Sequence, residues 1–460
     1  MMKIAFIGAG SYIFARKLVI DLATFDDLPP IELALMDIDA SRLETTEMLV
    51  NKVISQQKRQ ISVTKTLDRR QALDGADFVF AMYEPNGLEA RKREVQVCID
   101  HRVPMAIGDT LGPSGVFKGI RTGILALSVA RDMEQMCPDA LFLNYVNPMA
   151  VNCWVVNAMT DVRSVGMCHG LEHTRVLLAG FLEIPADELY LRGWGINHML
   201  WILEMKHNGQ DMYPRLREIL PSVREQDPVR FALMDAAGYF VTESSYHSAE
   251  YVPYFREWFK PLAVFDHEDP SFNFGMGGWG GQIIEPSEPP AGRVEQKIPL
   301  NWDIYLYEKH WAKNWDKQKQ QLLDETSVPI ALSEEYGMRI VHSVITDTAR
   351  TMSLNVANKG YIPNLPTGAT VELPVKVDKD GLHPDTVDPL PEPCASLCRR
   401  NIEVHSQIVE AIANEDARAA FNAVLLDPLA GACLDPAGMR SLFNDLVERD
   451  REWLPEWLIR

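Results

Sequence analysis

The opening of the chain constrains its fold most. Lys3-Ile-Ala-Phe-Ile7 is a short apolar run stopped by glycine, the pattern of a strand buried on both faces. Gly8-Ala-Gly10-Ser11 follows as a turn, and residues 12–24 carry Leu18, Val19 and Leu22 on one helical face. Glu32-Leu-Ala-Leu-Met36 is the next strand, with Asp37 at its end. Strand, glycine turn, helix, strand and terminal acid in this order predict a doubly wound α/β fold of the dinucleotide-binding, Rossmann type. Gly8 and Gly10 let the backbone approach a pyrophosphate at a helix N-terminus, and Asp37 is placed to accept hydrogen bonds from a ribose. An acid there favours NAD over NADP. The third glycine of the usual pattern is replaced by Ile13, so a tight turn without a ligand stands as the alternative.

The 460 residues exceed what one core accommodates. The expected division is a parallel-sheet, NAD-binding domain over 1–190 and an α+β catalytic domain over 191–460. A net charge of -19 argues against nucleic acid and anionic membrane surfaces as partners. Seven cysteines at irregular spacing are not a disulfide framework and point to a reducing cytoplasm. Lys3 and the run Ile4 to Ala15 resemble a short signal peptide, but Gly8, Gly10 and Ser11 interrupt it, so strand and turn are expected. No run of about eighteen apolar residues predicts a membrane-spanning helix.

Further along, Ser41 and Glu44 read as a capping box opening a helix over 41–56. Ala76 to Met82 reads as a strand. Met105-Ala-Ile107 leads, as at a strand end, into the glycine-rich loop Gly108 to Gly115, which carries the single acid Asp109. A helix is predicted over 118–136, a strand over 140–143 ending near Asn147, and a helix over 149–159. Val165 to Gly170 then reads as a buried strand ending on Cys168 and His169. After residue 190 the runs 191–196 and 199–204 predict a second, partly antiparallel layer. Residues 213–238 read as helical, 266–300 as a lid rich in Gly, Pro and Trp, and 302–323 and 330–350 as helices. Segments 351–360 and 369–377 read as a hairpin-like pair, and 400–426 and 436–449 as closing helices.

Two strand ends could share chemistry. The Cys168 thiolate and the His198 imidazole could bind one divalent metal and leave positions open for substrate. Against this stand an inert buried thiol and a satisfied core histidine. Tyr251 lies in an aromatic-rich segment; a cation nearby would make its phenolate accessible, and a wall aromatic is the bland reading. Asp109 and Asn147, likewise, are either ligand-binding residues or turn formers.

The ordered set Ile7-Gly-Ala-Gly-Ser11, Leu35-Met-Asp-Ile-Asp39, Asp109-Thr-Leu-Gly-Pro113, Asn144-Tyr-Val-Asn-Pro148, Cys168-His-Gly170, Gly195-Ile-Asn-His198 and Thr242-Glu-Ser-Ser245 resembles family 4 of the glycoside hydrolases. Trp453-Leu-Pro-Glu-Trp-Leu458 resembles the melibiase (α-galactosidase) branch of that family. The resemblance implies a lactate/malate dehydrogenase-like fold and a glycosidase using NAD and Mn²⁺ or another divalent metal. The implied route is oxidation at C3, metal-assisted deprotonation at C2, elimination, water addition and re-reduction, an exception to the two-carboxylate scheme. It implies Cys168 and His198 as metal ligands, Tyr251 as base and Asp109 as the acid assisting the leaving group. Gly8, Gly10, Ser11 and Asp37 would form the dinucleotide site, and Asn147 would bind substrate. His169 after the cysteine is similar to members acting on unphosphorylated sugars, so α-galactosides or α-glucosides are the expected substrates. Gly170 departs from the serine of the melibiase type and is closer to α-glucosidases and α-glucuronidases. An α-glucuronidase or α-galacturonidase, with Arg293 as one candidate for a basic pocket, and a 2-hydroxy-acid dehydrogenase are the alternatives. A homodimer or homotetramer is expected from the family.

Overall fold

In a computed structural model the described residues are 1–57, 60–261, 298–306, 308 and 313–460. The lid expected over 266–300 and Arg293 lie outside them, apart from 298–300.

The strands are β1 (Met2–Ile7), β2 (Ile31–Met36), β3 (Ile61–Thr66), β4 (Phe78–Ala81), β5 (Leu141–Asn144), β6 (Arg163–Met167), β7 (Leu189–Ile196), β8 (Met199–His207), β9 (Gln210–Asp211), β10 (Phe240–Val241), β11 (Phe259–Lys260), β12 (Ile298–Pro299), β13 (Arg350–Ala357), β14 (Thr370–Asp378) and β15 (Gly381–Pro384). Among the described residues β11 and β12 pair apart, and the other thirteen form one sheet: eleven in the order 10-8-7-14-13-6-5-4-1-2-3, with β9 paired to β8 and β15 to β14 off this path. The run 3-2-1-4-5-6 is parallel, the strand order of dinucleotide-binding folds.

Apolar runs form β1, β2, β4 and β5 because both faces are covered, whereas the edge strand β3 is polar and half-exposed. Ile4 and Phe6 enter a core with Ala15, Leu18 and Leu22 of the helix Tyr12–Ala23. Ala5 and Ile7 enter a second core with Leu73, Ala126, Val129 and Met133. Full burial of each large side chain contributes about 1.5–3 kcal/mol.

The later strands do not stack as a second layer. β13 pairs antiparallel with β6 through Leu354–Met167 and Asn355–Gly166, and β14 and β7 continue the same sheet outward. Three helices, Gly170–Leu182, Tyr213–Val223 and Pro228–Ala237, share a third core with β7, β8 and β10.

Local expectations shift in several places. The helix Ala40–Ile54 is capped by Asp39, whose carboxylate accepts from the amides of Ser41 and Arg42, so Ser41 lies inside it. The helix expected from 118 begins at Gly112, which shortens the Asp109 loop. Met105 to Ile107 form no strand, because the amides of Ala106 and Ile107 bond to the Glu250 carboxylate instead of a neighbouring chain. The helix expected over 302–323 is described as Trp302–Leu306 and Lys313–Asp324, and that over 330–350 contracts to Gly337–Thr346.

Candidate active site

Two groups of candidate residues gather at the carboxyl ends of the parallel strands, where doubly wound sheets bind ligands. The first is the turn after β1. Gly8 has φ +90°, and a Cβ there would lie 2.7 Å from the Tyr83 backbone. The Gly10 amide donates to Asp37 Oδ2 at 2.7 Å, and a Cβ on Gly10 would stand 2.6 Å from that oxygen. Asp37 Oδ1 accepts from the Asp39 amide. Glycine is thus required twice for close approach. Ser11 is the N-cap of the helix Tyr12–Ala23, and its side chain makes no cap bond.

The second group surrounds Cys168, which follows β6. Ligand atoms of Cys168, His198 and Glu243 all lie within 4.8 Å of one another. His198 occupies the turn between β7 and β8 with φ +61°, a conformation that costs a non-glycine residue on the order of 1 kcal/mol and that clusters at functional sites. Cys168 Sγ accepts from the Gly170 amide at 3.4 Å. A Cβ on Gly170 would be 2.6 Å from Glu243 Oε2, so the residue that departs from the melibiase pattern makes room for this carboxylate.

Acidities follow the burial and the charges. Burial, reinforced by Glu243 and Glu372, raises the Cys168 thiol well above its ordinary range. Burial lowers His198 to about 4, leaving a neutral imidazole able to donate a lone pair. Burial also acts to raise Glu243, but His198, His247, His169 and His173 bring it down to about 2. A carboxylate, a neutral imidazole and a thiol whose ionisation requires a cation form a donor set that fits a divalent metal.

Tyr251 and Asp109 border this set. The Tyr251 ring is 1% exposed and centred 6.5 Å from that of His198, and its hydroxyl donates to the Asn197 carbonyl at 3.2 Å. Burial and the acids around it (Asp109, Cys168, Glu243 and Glu250) raise its phenol well above 10. Asp109 is buried, 3.5 Å from His247 Nε2, and accepts from Thr110 Oγ1 and Asn147 Nδ2. Burial raises its carboxyl, but the His247 hydrogen bond and the Lys118 charge more than reverse this and hold it well below its usual range. His247 is correspondingly raised to about 9, its bond to Asp109 overcoming burial. The pair therefore holds one proton, on the imidazole side. Asn147 Oδ1 is buried and finds no hydrogen-bond partner among the described residues.

His169 connects the two groups. Its Nδ1 lies 3.1 Å from Glu335 Oε1, and Lys17, on the helix behind the glycine turn, reaches Glu335 at 3.1 Å and Glu334 at 2.6 Å. His169, His173 and Glu334 form another compact cluster, but Lys17 already supplies the positive charge beside Glu334.

Glu243, His247 and Glu250 received no role from the sequence. Glu243 lay inside the motif Thr242-Glu-Ser-Ser245, and the i, i+3 pair Ser244 and His247 was the available cue: Ser244 caps the helix Ser245–Tyr251 and bonds the His247 ring.

Comparison with known proteins identifies the family of the chain. The family 4 glycosyl hydrolase model matches residues 3–184, and the model of the family's C-terminal domain matches 194–430. An α-galactosidase of Bacillus subtilis (strain 168) is 33% identical, over 99% of this chain and 100% of that protein. An α-galacturonidase of Thermoanaerobacter italicus (strain DSM 9252 / Ab9) is 25% identical over 99% of this chain and 98% of its own length. The solved structure of a 6-phospho-α-glucosidase from gut microorganisms, in complex with NAD and Mn²⁺, superposes with a TM-score of 0.77 at 18% identity, covering 99% of each chain. With both of the family's models matched and a full-length relative at this identity, the chain belongs to family 4 of the glycosyl hydrolases.

Proposed function

We propose that this family 4 glycosyl hydrolase is an NAD- and Mn²⁺-dependent α-glycosidase acting on unphosphorylated α-galactosides or α-glucosides. The observation that carries the reading is the convergence of Cys168, His198 and Glu243 within 4.8 Å, with the Tyr251 hydroxyl on the carbonyl next to His198. Cys168 and His198 would hold the metal, with Glu243 in reach. Gly8, Gly10, Ser11 and Asp37 would hold the dinucleotide. When bound, NAD supplies a hydride acceptor and the metal supplies Lewis acidity beside the sugar ring.

The chain's own groups do the rest. Tyr251 removes the proton at C2, and positive charge near its oxygen is needed because burial and every named neighbour make the phenol harder to ionise. The one proton of the Asp109–His247 pair, resting on the imidazole, passes through Asp109 to the glycosidic oxygen as the bond to C1 breaks. Asn147 Oδ1 accepts from a sugar or cofactor hydroxyl. His169, held by Glu335, faces substrate.

Charge supports a neutral sugar. Around Cys168 and His169 the described residues place Glu243, Glu334, Glu335 and Glu372, and Lys17 is already paired with two of them. A phosphate or carboxylate on the sugar would meet these carboxylates. The galacturonidase relative keeps a uronide as the second reading.

The test is a panel of nitrophenyl α-galactoside, α-glucoside, α-glucuronide and α-galacturonide, with and without NAD, Mn²⁺ and reductant. Hydrolysis of a neutral glycoside requiring all three, without net NADH, is expected. Turnover of uronides alone favours the second reading, and net NADH from a 2-hydroxy acid overturns both. The homodimer or homotetramer is part of the same proposal, and light scattering checks it.

A further inference from the structure

Three residues separate the candidate acid Asp109 from Met105, and among the described residues this stretch pairs with no strand. Its amides converge on one side chain. Glu250 Oε1 accepts from Ala106 at 2.7 Å, Ile107 at 2.8 Å and Gly108 at 3.3 Å, and Oε2 accepts from Gly108 at 3.2 Å. Glu250 is 1% exposed. Gly108 turns its amide inward at φ +68°, and a Cβ there would stand 2.4 Å from Val95. The carbonyls of Met105 and Ala106 are used from the other side by the amides of Asn301 and Asp303. The next residue along the loop is Asp109, and the residue after Glu250 in its helix is the candidate base Tyr251.

The base is fixed independently of the loop. Its hydroxyl is held by the Asn197 carbonyl and its own carbonyl by Asn401 Nδ2. Without Glu250 the loop bearing Asp109 would keep the Asn301 and Asp303 amides on its far side and the contacts of Asp109 with Asn147 and His247, but would lose the one group among the described residues that ties its amides to the helix carrying that tyrosine. We infer that Glu250 is a positioning residue: its carboxylate, gripping three consecutive amides, sets Asp109 at a fixed place relative to Tyr251. A carboxylate bonded to several backbone amides is a strong, geometrically restrictive anchor. A displacement of about 1 Å in an acid costs on the order of a hundredfold in the step it serves. This inference rests on the proposed reaction, because it needs an acid step distinct from the base step.

That distinction provides the test. Glu250→Gln keeps one acceptor oxygen and the side-chain shape but loses the charge and turns an N–H₂ toward an amide. With NAD and Mn²⁺ present, two rates are read: exchange of the C2 proton with deuterium, which needs Tyr251, and release of the aglycone. The leaving groups compared are nitrophenol, which needs little protonation, and methanol, which needs it fully. The expected result is exchange within about threefold of the parent, with methyl glycoside hydrolysis falling by roughly 10²-fold or more and nitrophenyl hydrolysis much less. In the Asp109→Asn background, Glu250→Gln should add nothing further, since it acts through Asp109. Without any cofactor, amide hydrogen exchange over 105–110 should speed up while the helix Gly112–Met136 stays protected.

Exchange and both hydrolyses falling in parallel would show a merely structural residue and overturn the inference. So would an additive loss in the double variant, or unchanged protection of 105–110. A parent enzyme that shows neither exchange nor hydrolysis with NAD and Mn²⁺ overturns the functional reading, and this inference with it.

Discussion

The parallel and antiparallel halves of the one sheet are built for different kinds of recognition. In the parallel half, β4 and β5 are buried at every residue, and the strands end in turns whose working surface is backbone, as at Gly8 and Gly10. In the antiparallel half, buried polar side chains sit within the strands and at their ends. Glu372 on β14 accepts from Asn197 and Ser353 and is pushed by burial up to about 7. His198 closes the β7–β8 turn. The β1 end of the parallel half offers amides and space beside Asp37, the antiparallel half offers most of the ionisable groups of the second cluster, and they meet at Cys168, where the last parallel strand β6 abuts β13. Substitutions in the two halves should therefore separate nucleotide binding from metal chemistry.

The largest separation is expected for Cys168→Ser. Turnover dependent on Mn²⁺ should fall below detection while NAD affinity, read by fluorescence titration, stays within about threefold of the parent, since a tenfold change already means about 1.4 kcal/mol. Undiminished turnover by this variant would remove the metal role. Next comes Tyr251→Phe, which should lower both kcat and C2 deuterium exchange by roughly 10²–10⁴-fold and leave Mn²⁺ and NAD titrations alone. Gly10→Ala is the reciprocal case. Its methyl would collide with the Asp37 carboxylate, so NAD should bind about tenfold or more weakly, with the Mn²⁺ titration unaffected. If Gly10→Ala weakened metal and nucleotide alike, the two halves would not be separable.

The smallest effect lies away from both groups. Asp450 and Glu94 are fully buried beside the single guanidinium of Arg121. Burial, with Glu94 adding to it and Arg121 opposing, pushes Asp450 up to about 8. Its folded value lies above the unfolded one, near 3.9, so the folded state keeps a proton that the unfolded state has lost. Stability should then fall as pH rises from about 4 towards 8, by at most about 1.4 kcal/mol per unit. Asp450→Asn should flatten that slope in urea midpoints taken from pH 5 to 9, without moving either titration. An unchanged slope would assign the proton elsewhere.

How much of this was legible in the sequence follows from range. Lys3 to Met36 could be read because each element there is specified by its own period and its own glycines, within the thirty-odd residues of a β-α-β unit. Cys168 and His198 could be singled out because each ends an apolar run. The expected second layer failed for a reason that periodicity cannot address. A strand with two covered faces looks the same whether it extends a sheet or stacks on another, and the pairing of Asn355 with Gly166 joins residues nearly two hundred apart. The strand suggested at Met105 to Ile107 failed similarly, since the partner of its amides was a side chain in a helix 142–144 residues further on.

By itself the sequence determined the parallel half, its strand-end turns and the residue types able to bind a dinucleotide and a metal. These depend on local backbone preference and on which residues cannot be left in water. Only the tertiary structure decided that β13 and β14 would insert between β6 and β7, that Glu243 would join Cys168 and His198, and that Glu250 would gather the amides before Asp109. A buried carboxylate is tolerated only where partners from distant segments converge on it, and no single segment carries that information.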